Sequence, residues 1–356
     1  MARITSLVLL ASLIVTTIAG GWNDWHGDAT HVSAGESIQA AIDTAKAGQL
    51  IFVGPGTYAE QLTITTDGIH LVSKGAVLVP PASFVQNTCS GLAGNETEAG
   101  ICIEGQDIQL AGFEVEHRKV LSVGTPIKDV LVTGFQVQDF TGLNIAVVGG
   151  LDVQIVGNTL HDGSQYGALT VGSTNTHIDA NNVAATGDLL FIAVCMDDST
   201  GVQVTNNDIS NYAVGLCVQT NNAYVANNRV TSACFGAFVD PGVQGAQLLN
   251  NYIGPPNQVC ANSPGGGIDG VLVFGASGTT VKGNTIEGQL AHDGSNGDGS
   301  GIAIVDDPST ASIANDNTVT GNILRDNDLD ILIYTNGTGN VAEGNQCTTP
   351  AELCGQ

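Results

Sequence analysis

Basic residues are scarce. Nine Lys and Arg stand against 34 Asp and Glu in 356 residues, a net charge of −25 with His neutral. A surface that acidic repels nucleic acid and anionic membranes, so neither is an expected partner. An anionic polymer such as polygalacturonate is repelled as well, unless calcium or low pH neutralises the carboxylates. Aromatic residues make up 5% of the chain and Met occurs twice, which excludes a hidden helical domain. Beyond the first 19 residues no apolar run could span a bilayer. No CxxC pair occurs among the eight Cys, which argues against a zinc site.

What the chain does hold is 47 Gly and a recurring Asn. Asn-centred tripeptides lie between apolar runs at Asn158, Asn182, Asn207, Asn228, Asn251, Asn284, Asn317 and Asn345, and the first four intervals run from 21 to 25 residues. A repeat of that length is one turn of a solenoid. Each Asn can bond backbone groups at a tight corner, and identical Asn residues can stack as a ladder. The coils align on Gly142, Gly167, Phe191, Gly215, Gly236, Gly270, Gly301 and Asp330. The first and third residues after these are apolar, from Leu143 and Ile145 to Ile331 and Ile333, with Thr170 the exception. Period two with one buried face means short strands, and no helix-length crossover fits between them. The fold expected is all-β: a single-stranded, right-handed parallel β-helix of about ten coils between residues 50 and 345.

The ends differ from the shaft. Residues 1–19, with Arg3 and an apolar run from Leu7, read as a signal peptide, leaving residues 20–356 as one domain. Ser37, an apolar face of Ile38, Ala41, Ile42 and Ala45, and a stop at Gly48 predict a capping helix over residues 36–48. It would cover the open sheet edge of the first coil. Asn95 and Asn336 open glycosylation sequons. Eight Cys in an exported chain imply disulfides. Cys347 and Cys354 are seven apart and staple a C-terminal cap over residues 346–356. Cys89 and Cys102 can close the loop around Asn95, and the pairing of Cys195, Cys217, Cys234 and Cys260 stays open.

Residues 36–64, ESIQAAIDTAKAGQLIFVGPGTYAEQLTI, resemble the N-terminal cap and first coil of the pectin-lyase-like superfamily. GPGTYAE also resembles the GxYxE stretch of pectin methylesterases. The resemblance implies a carbohydrate-active or carbohydrate-binding β-helix whose partner is extracellular polysaccharide. The methylesterase motifs resembling DFIFG and LGRPW are missing. Of the polygalacturonase motifs NTD, DD, GHG and RIK only DD occurs, at Asp197-Asp198 and Asp306-Asp307.

The fourth strand position gives an outward column of Ala146, Val171, Cys195, Gln219, Asp240, Phe274, Val305 and Tyr334. Asp240 is the central catalytic candidate. Asp306 and Asp307 are its favoured partners two coils on, and Asp197 and Asp198 lie two coils before, ~9–10 Å to either side. Such spacing suits an inverting glycosidase, although each Asp singly also fits a turn role. Insertions at residues 254–267 and 288–300 are expected to rise beside this site. The second holds His292, a candidate acid or base, and Asp293 and Asp298, which could take calcium; no other cofactor is expected. Phe274, Tyr334 and Gln219 are candidate sugar contacts. The expectation is a secreted, monomeric glycoside hydrolase or related pectin-type enzyme. The alternatives are a non-catalytic wall-binding or structural module, and a polysaccharide lyase. A lyase would need Arg229, Lys282 or Arg325, the only basic residues in the C-terminal half.

Overall fold

The computed structural model describes residues 29–261, 267–291 and 299–354. The chain winds as a right-handed parallel β-helix with three long sheets. A twelve-stranded sheet runs from Thr30–Val32 to Val341–Glu343. A second sheet of ten strands runs from Gly56–Ala59 to Ile323–Arg325, and a third of ten from Leu62–Ile64 to Leu329–Tyr334. Strands pair in parallel with their counterparts one coil on. The signal peptide expected at residues 1–19 lies outside the described residues. Among the described residues no helix is long and apolar enough to cross a membrane.

The shaft is filled from within. Ile145, Ala168, Val194, Leu216, Ala237, Val271, Ile302 and Ile331 point inward on successive coils, each at most 1% exposed. Most strands of the third sheet carry a Gly near their start, because the corner there is tight. A Cβ on Gly236 would lie 2.4 Å from Ile253 Cγ2, and one on Gly270 2.3 Å from Ile286 Cγ2. Only Gly admits that approach.

The strand pairing corrects two of the eight alignment points. Ala168 pairs with Ile145 and Val194, so Asn144 and Ala193, not Gly142 and Phe191, match Gly167. Leu143 and Ile192 therefore face outward. The runs GLNIAVV and LLFIAVC are too uniformly apolar for alternation to set their register.

The Asn ladder is real and differs at two rungs. It runs through Asn158, Asn181, Asn207, Asn228, Asn251, Asn284, Asn322 and Asn345. Each Nδ2 donates to the next Oδ1 at 2.9–3.1 Å. The rungs are Asn181 and Asn322 rather than Asn182 and Asn317. Each rung follows a residue with positive φ: Gly157, Ala180, Asn206, Asn227, Asn250, Gly283, Gly321 or Gly344. At residue 180 that residue is Ala, so the rung is the first Asn of the pair and Asn182 is exposed. Asn317 sits at a different corner, where its Nδ2 donates to Asn340 Oδ1 at 2.9 Å.

Both ends are closed. A helix spans Ile38–Thr44, with Ser37 Oγ accepting from Ala40 N–H. The Glu60 carboxylate accepts from the N–H groups of Ile38 and Gln39, both at 3.0 Å, where the helix dipole favours it. The helix stops at Ala45, short of the expected residue 48. Cys347 is joined to Cys354, and the other pairs are Cys89–Cys102, Cys195–Cys217 and Cys234–Cys260.

The ladder register is testable at one pair of neighbours. Asn181→Ala strands the N–H and one Nδ2 hydrogen of Asn158 and the Ile155 carbonyl, and leaves Asn207 Oδ1 with the backbone N–H of residue 181 alone. It should cost on the order of 3 kcal/mol or more in chemical denaturation. Asn182→Ala, exposed and off the ladder, should cost less than about 0.5 kcal/mol. Equal losses would reject the assignment.

Candidate functional site

The third sheet has an outward face that is half covered. Residues 84–98 and 105–125, on either side of its strand Ala99–Glu104, fold back across its first coils. There Cys89, Leu92 and Ala93 pack on Leu143, Ala146, Tyr166, Leu169 and Cys195. A hairpin pairs Gln109–Leu110 with Val120–Ser122 antiparallel, and Leu110 and Val120 join this second apolar cluster. The Cys89–Cys102 disulfide ties the cover to the sheet. From Phe235–Val239 onward the face carries partly exposed residues instead, including Phe235, Phe238, Asp240, Asp269 and Phe274.

The corrected register rearranges the outward column at the strand ends. It reads Glu104, Val148, Val171, Asp197, Gln219, Asp240, Phe274, Val305, Tyr334. Ala146 and Cys195 belong to the neighbouring column. Asp197 thus shares a column with Asp240, two coils away with Gln219 between, roughly 9–10 Å along the axis. Asp198 turns inward and is 6% exposed.

The hairpin closes over these residues. His117 Nε2 and Lys119 Nζ both lie 3.2 Å from Asp197 Oδ2. Lys119 also donates to Gln219 Oε1 at 2.5 Å, and Gln219 Nε2 donates to Glu116 Oε2 at 2.6 Å. The other His117 nitrogen, Nδ1, lies 3.4 Å from the Tyr166 hydroxyl. Gln219 is thereby clamped between the sheet and the wall. Burial pushes Asp240 up to about 7, helped by the charges of Glu116 and Asp197 and opposed by Lys119 and Gln219. Sequence reasoning missed Glu116, His117 and Lys119. The signal was there: EHRK at residues 116–119 is the only place where two basic residues adjoin.

The other candidates lie apart. Asp306 accepts from Ala314 N–H at 3.0 Å, from Asn336 N–H at 2.8 Å and from the Thr335 hydroxyl. Led by the Asn336 bond, these contacts hold it down to about 2. Asp307 accepts from Ser309 Oγ at 2.6 Å and Thr310 Oγ1 at 2.5 Å, which likewise lowers it. Both carboxylates are taken up by the turn after Val305. The two insertions enter the third sheet at Asp269 and Ser300, the starts of their strands. Asp240 lies at a strand end, and residues 262–266 and 292–298 of the insertions lie outside the described residues. His292, Asp293 and Asp298 lie outside the described residues. Phe274 is one coil from Asp240, and Tyr334, 78% exposed, is two coils further. Asn95 and Asn336 are exposed, and Asn336 Nδ2 donates to Asp306 Oδ2 at 2.9 Å.

Asp198 offers a test of the inner wall. Burial raises its pKa from 3.8 to about 7, against the lowering influence of Thr176, Thr170 and the Ser173 N–H. A raised folded pKa means stability that is full below the unfolded value and lost as pH rises through about 7. Asp198→Asn keeps the acceptor for Ser173 and removes the charge. The variant should melt above wild type at pH values beyond that pKa, and the gap should close in mild acid. An unchanged pH slope would show that Asp198 titrates normally.

Comparison with known proteins gives the following. A family model described as right handed beta helix region matches residues 192–351. A second, described as periplasmic copper-binding protein (NosD), matches residues 64–267, more than half of the chain. No curated protein matches the sequence. Among solved structures, the family 28 exopolygalacturonase of Yersinia enterocolitica superposes with a TM-score of 0.54 at 12% identity, covering 89% of this chain and 79% of that one. DFA-IIIase from Arthrobacter chlorophenolicus A6 without its lid gives 0.58 at 13% identity, with 88% and 90% covered. The alginate lyase of Paenibacillus sp. FPU-7 gives 0.50 at 15% identity, with 87% and 98% covered. These likenesses establish the fold.

The second model's description raises copper, and the donor set does not fit it. Among the described residues, the one group of His, Cys, Asp and Glu close enough to share an ion is Glu116, His117 and Cys195. Cys195 is bonded to Cys217, so it offers no thiolate, and both His117 nitrogens have partners.

Proposed function

This chain belongs to the NosD family of right-handed β-helix proteins, and from that premise we propose that it is an exported hydrolase of extracellular polysaccharide. Four disulfides suit an oxidising compartment. One observation carries the reading. Asp240 and Asp197 share an outward column two coils apart, at the foot of a wall, in unlike surroundings. Burial keeps Asp240 largely protonated up to neutral pH, whereas Asp197 is ion-paired with Lys119.

The chemistry follows from that asymmetry. Asp240 gives its proton to the glycosidic oxygen as the bond to the anomeric carbon breaks. Asp197 takes a proton from a water that attacks the same carbon from the opposite side. The His117 and Lys119 contacts both fall on Oδ2 of Asp197, and Oδ1 makes none among the described residues. That oxygen is the one we assign to the water. A separation of roughly 9–10 Å leaves room for the water and implies inversion at the anomeric centre. Gln219, fixed between Lys119 and Glu116, stands between the two acids as a sugar-hydroxyl contact. Asp306 and Asp307 serve their turn.

A panel of polysaccharides, read for both reducing ends and unsaturated ends, identifies the substrate. On it Asp240→Asn should lower kcat by about 10²–10⁴-fold with a melting temperature no lower than wild type. Wild-type kcat should fall as pH rises through about 7, because the acid form is the working one. Asp306→Asn should leave kcat intact. Full activity in Asp240→Asn moves the site elsewhere. Unsaturated products mean a lyase, and binding without turnover means a wall-binding module.

A further inference from the structure

The open half of the third sheet has a floor and an end wall. Phe235 and Phe238 meet edge to face with centroids 5.6 Å apart, and Phe238 meets Phe274 at 5.8 Å. All three are partly exposed outward residues of adjacent strands, and Phe274 follows Asp240 on its column. Carboxyl groups border this floor on both sides. Asp240 lies at the strand ends beside Glu116 and Asp197. Asp269 lies at the strand starts, paired with Phe235 and pushed up to about 7 by burial. Among the described groups acting on Asp240, Lys119 is the sole cation, and its charge is spent on Asp197.

We infer that this floor is a subsite row for an uncharged glycan, which stacks on Phe238 and Phe274 and ends against the hairpin wall at Glu116 and Gln219. Apolar C–H faces of sugar rings suit an aromatic floor. Protonated or ionised carboxyls at its borders bind sugar hydroxyls, and a uronate would meet Glu116, joined by Asp240 and Asp269 as they ionise above about 7, with no free cation among the described groups to offset them. The wall stops the chain at Gln219, one coil past Asp240, because the sheet face beyond is filled by the cover that packs Cys89, Leu92, Leu110 and Val120 on it. The inference rests on the hydrolase reading for its biological sense, yet it concerns binding alone.

Isothermal titration of the Asp240→Asn protein keeps ligands intact. The probes are hexamers of β-1,4-linked glucose, xylose and mannose and inulin-type fructan, against hexagalacturonate and an alginate hexamer. At least one neutral probe should bind. Phe238→Ala and Phe274→Ala should each weaken it by about tenfold or more, and Phe113→Ala, on the exposed loop of the hairpin, should not. Any uronate binding should strengthen with salt, as screening relieves the repulsion. Uronate binding tighter than every neutral probe overturns the inference, as does an absence of neutral binding. Unchanged affinity in both folded Phe variants, judged by their melting curves, does the same. Binding that passes these tests without any turnover by wild type would remove the catalytic pair and leave the subsite standing.

Discussion

Buried amides at a tight corner must find partners, and the Asn ladder is how this chain meets that demand. Each rung is almost fully buried, and its side chain bonds the coil before and the coil after. A misplaced coil would strand several donors and acceptors at once. That constraint sets the axial spacing, and the spacing sets everything outside the shaft. Asp197 and Asp240 stand two coils apart because the ladder holds them there, not because a loop brings them together. A site built this way inherits the rigidity of its scaffold.

The outward face is divided by a competition between packing and access. Its first coils present Leu143, Tyr166, Leu169 and Ile192, which are unstable in water and attract a cover. The cover stops where the face changes to Phe and Asp. At that boundary Asp240 is shielded by the hairpin on one side while facing open surface on the other. The shielding that stabilises the hairpin is therefore the same shielding that keeps Asp240 protonated.

Much of the fold could be read from residues alone, because a solenoid repeats its reasons. Gly, alternating apolar residues and Asn recur at each coil. The reading failed where a coil used a substitute. Ala180 takes the left-handed position usually given to Gly or Asn, which hid the rung at Asn181. The run LLFIAVC shows no alternation, so Asp197 was set beside the column instead of on it. The site was less legible for a different reason. His117 and Lys119 reach Asp197 across 80 and 78 residues of sequence, and no local pattern encodes such a contact. Asp306 and Asp307 looked equivalent to Asp197 in sequence. Only their turn donors distinguish them.

The ladder also has a direction. Each rung sends its backbone N–H and one side-chain hydrogen toward the C-terminal neighbour, and only one hydrogen back to a carbonyl of the preceding coil. The two faces of any coil are therefore chemically unlike. A stack interrupted on its C-terminal side bares two donors, whereas one interrupted on its N-terminal side bares a single donor and an acceptor. Orphaned N–H groups are the harder of these to leave buried. The shaft thus has a needy end and a tolerant end. It is the needy end, at Asn345, that the chain fastens within two residues by a covalent loop through Cys347.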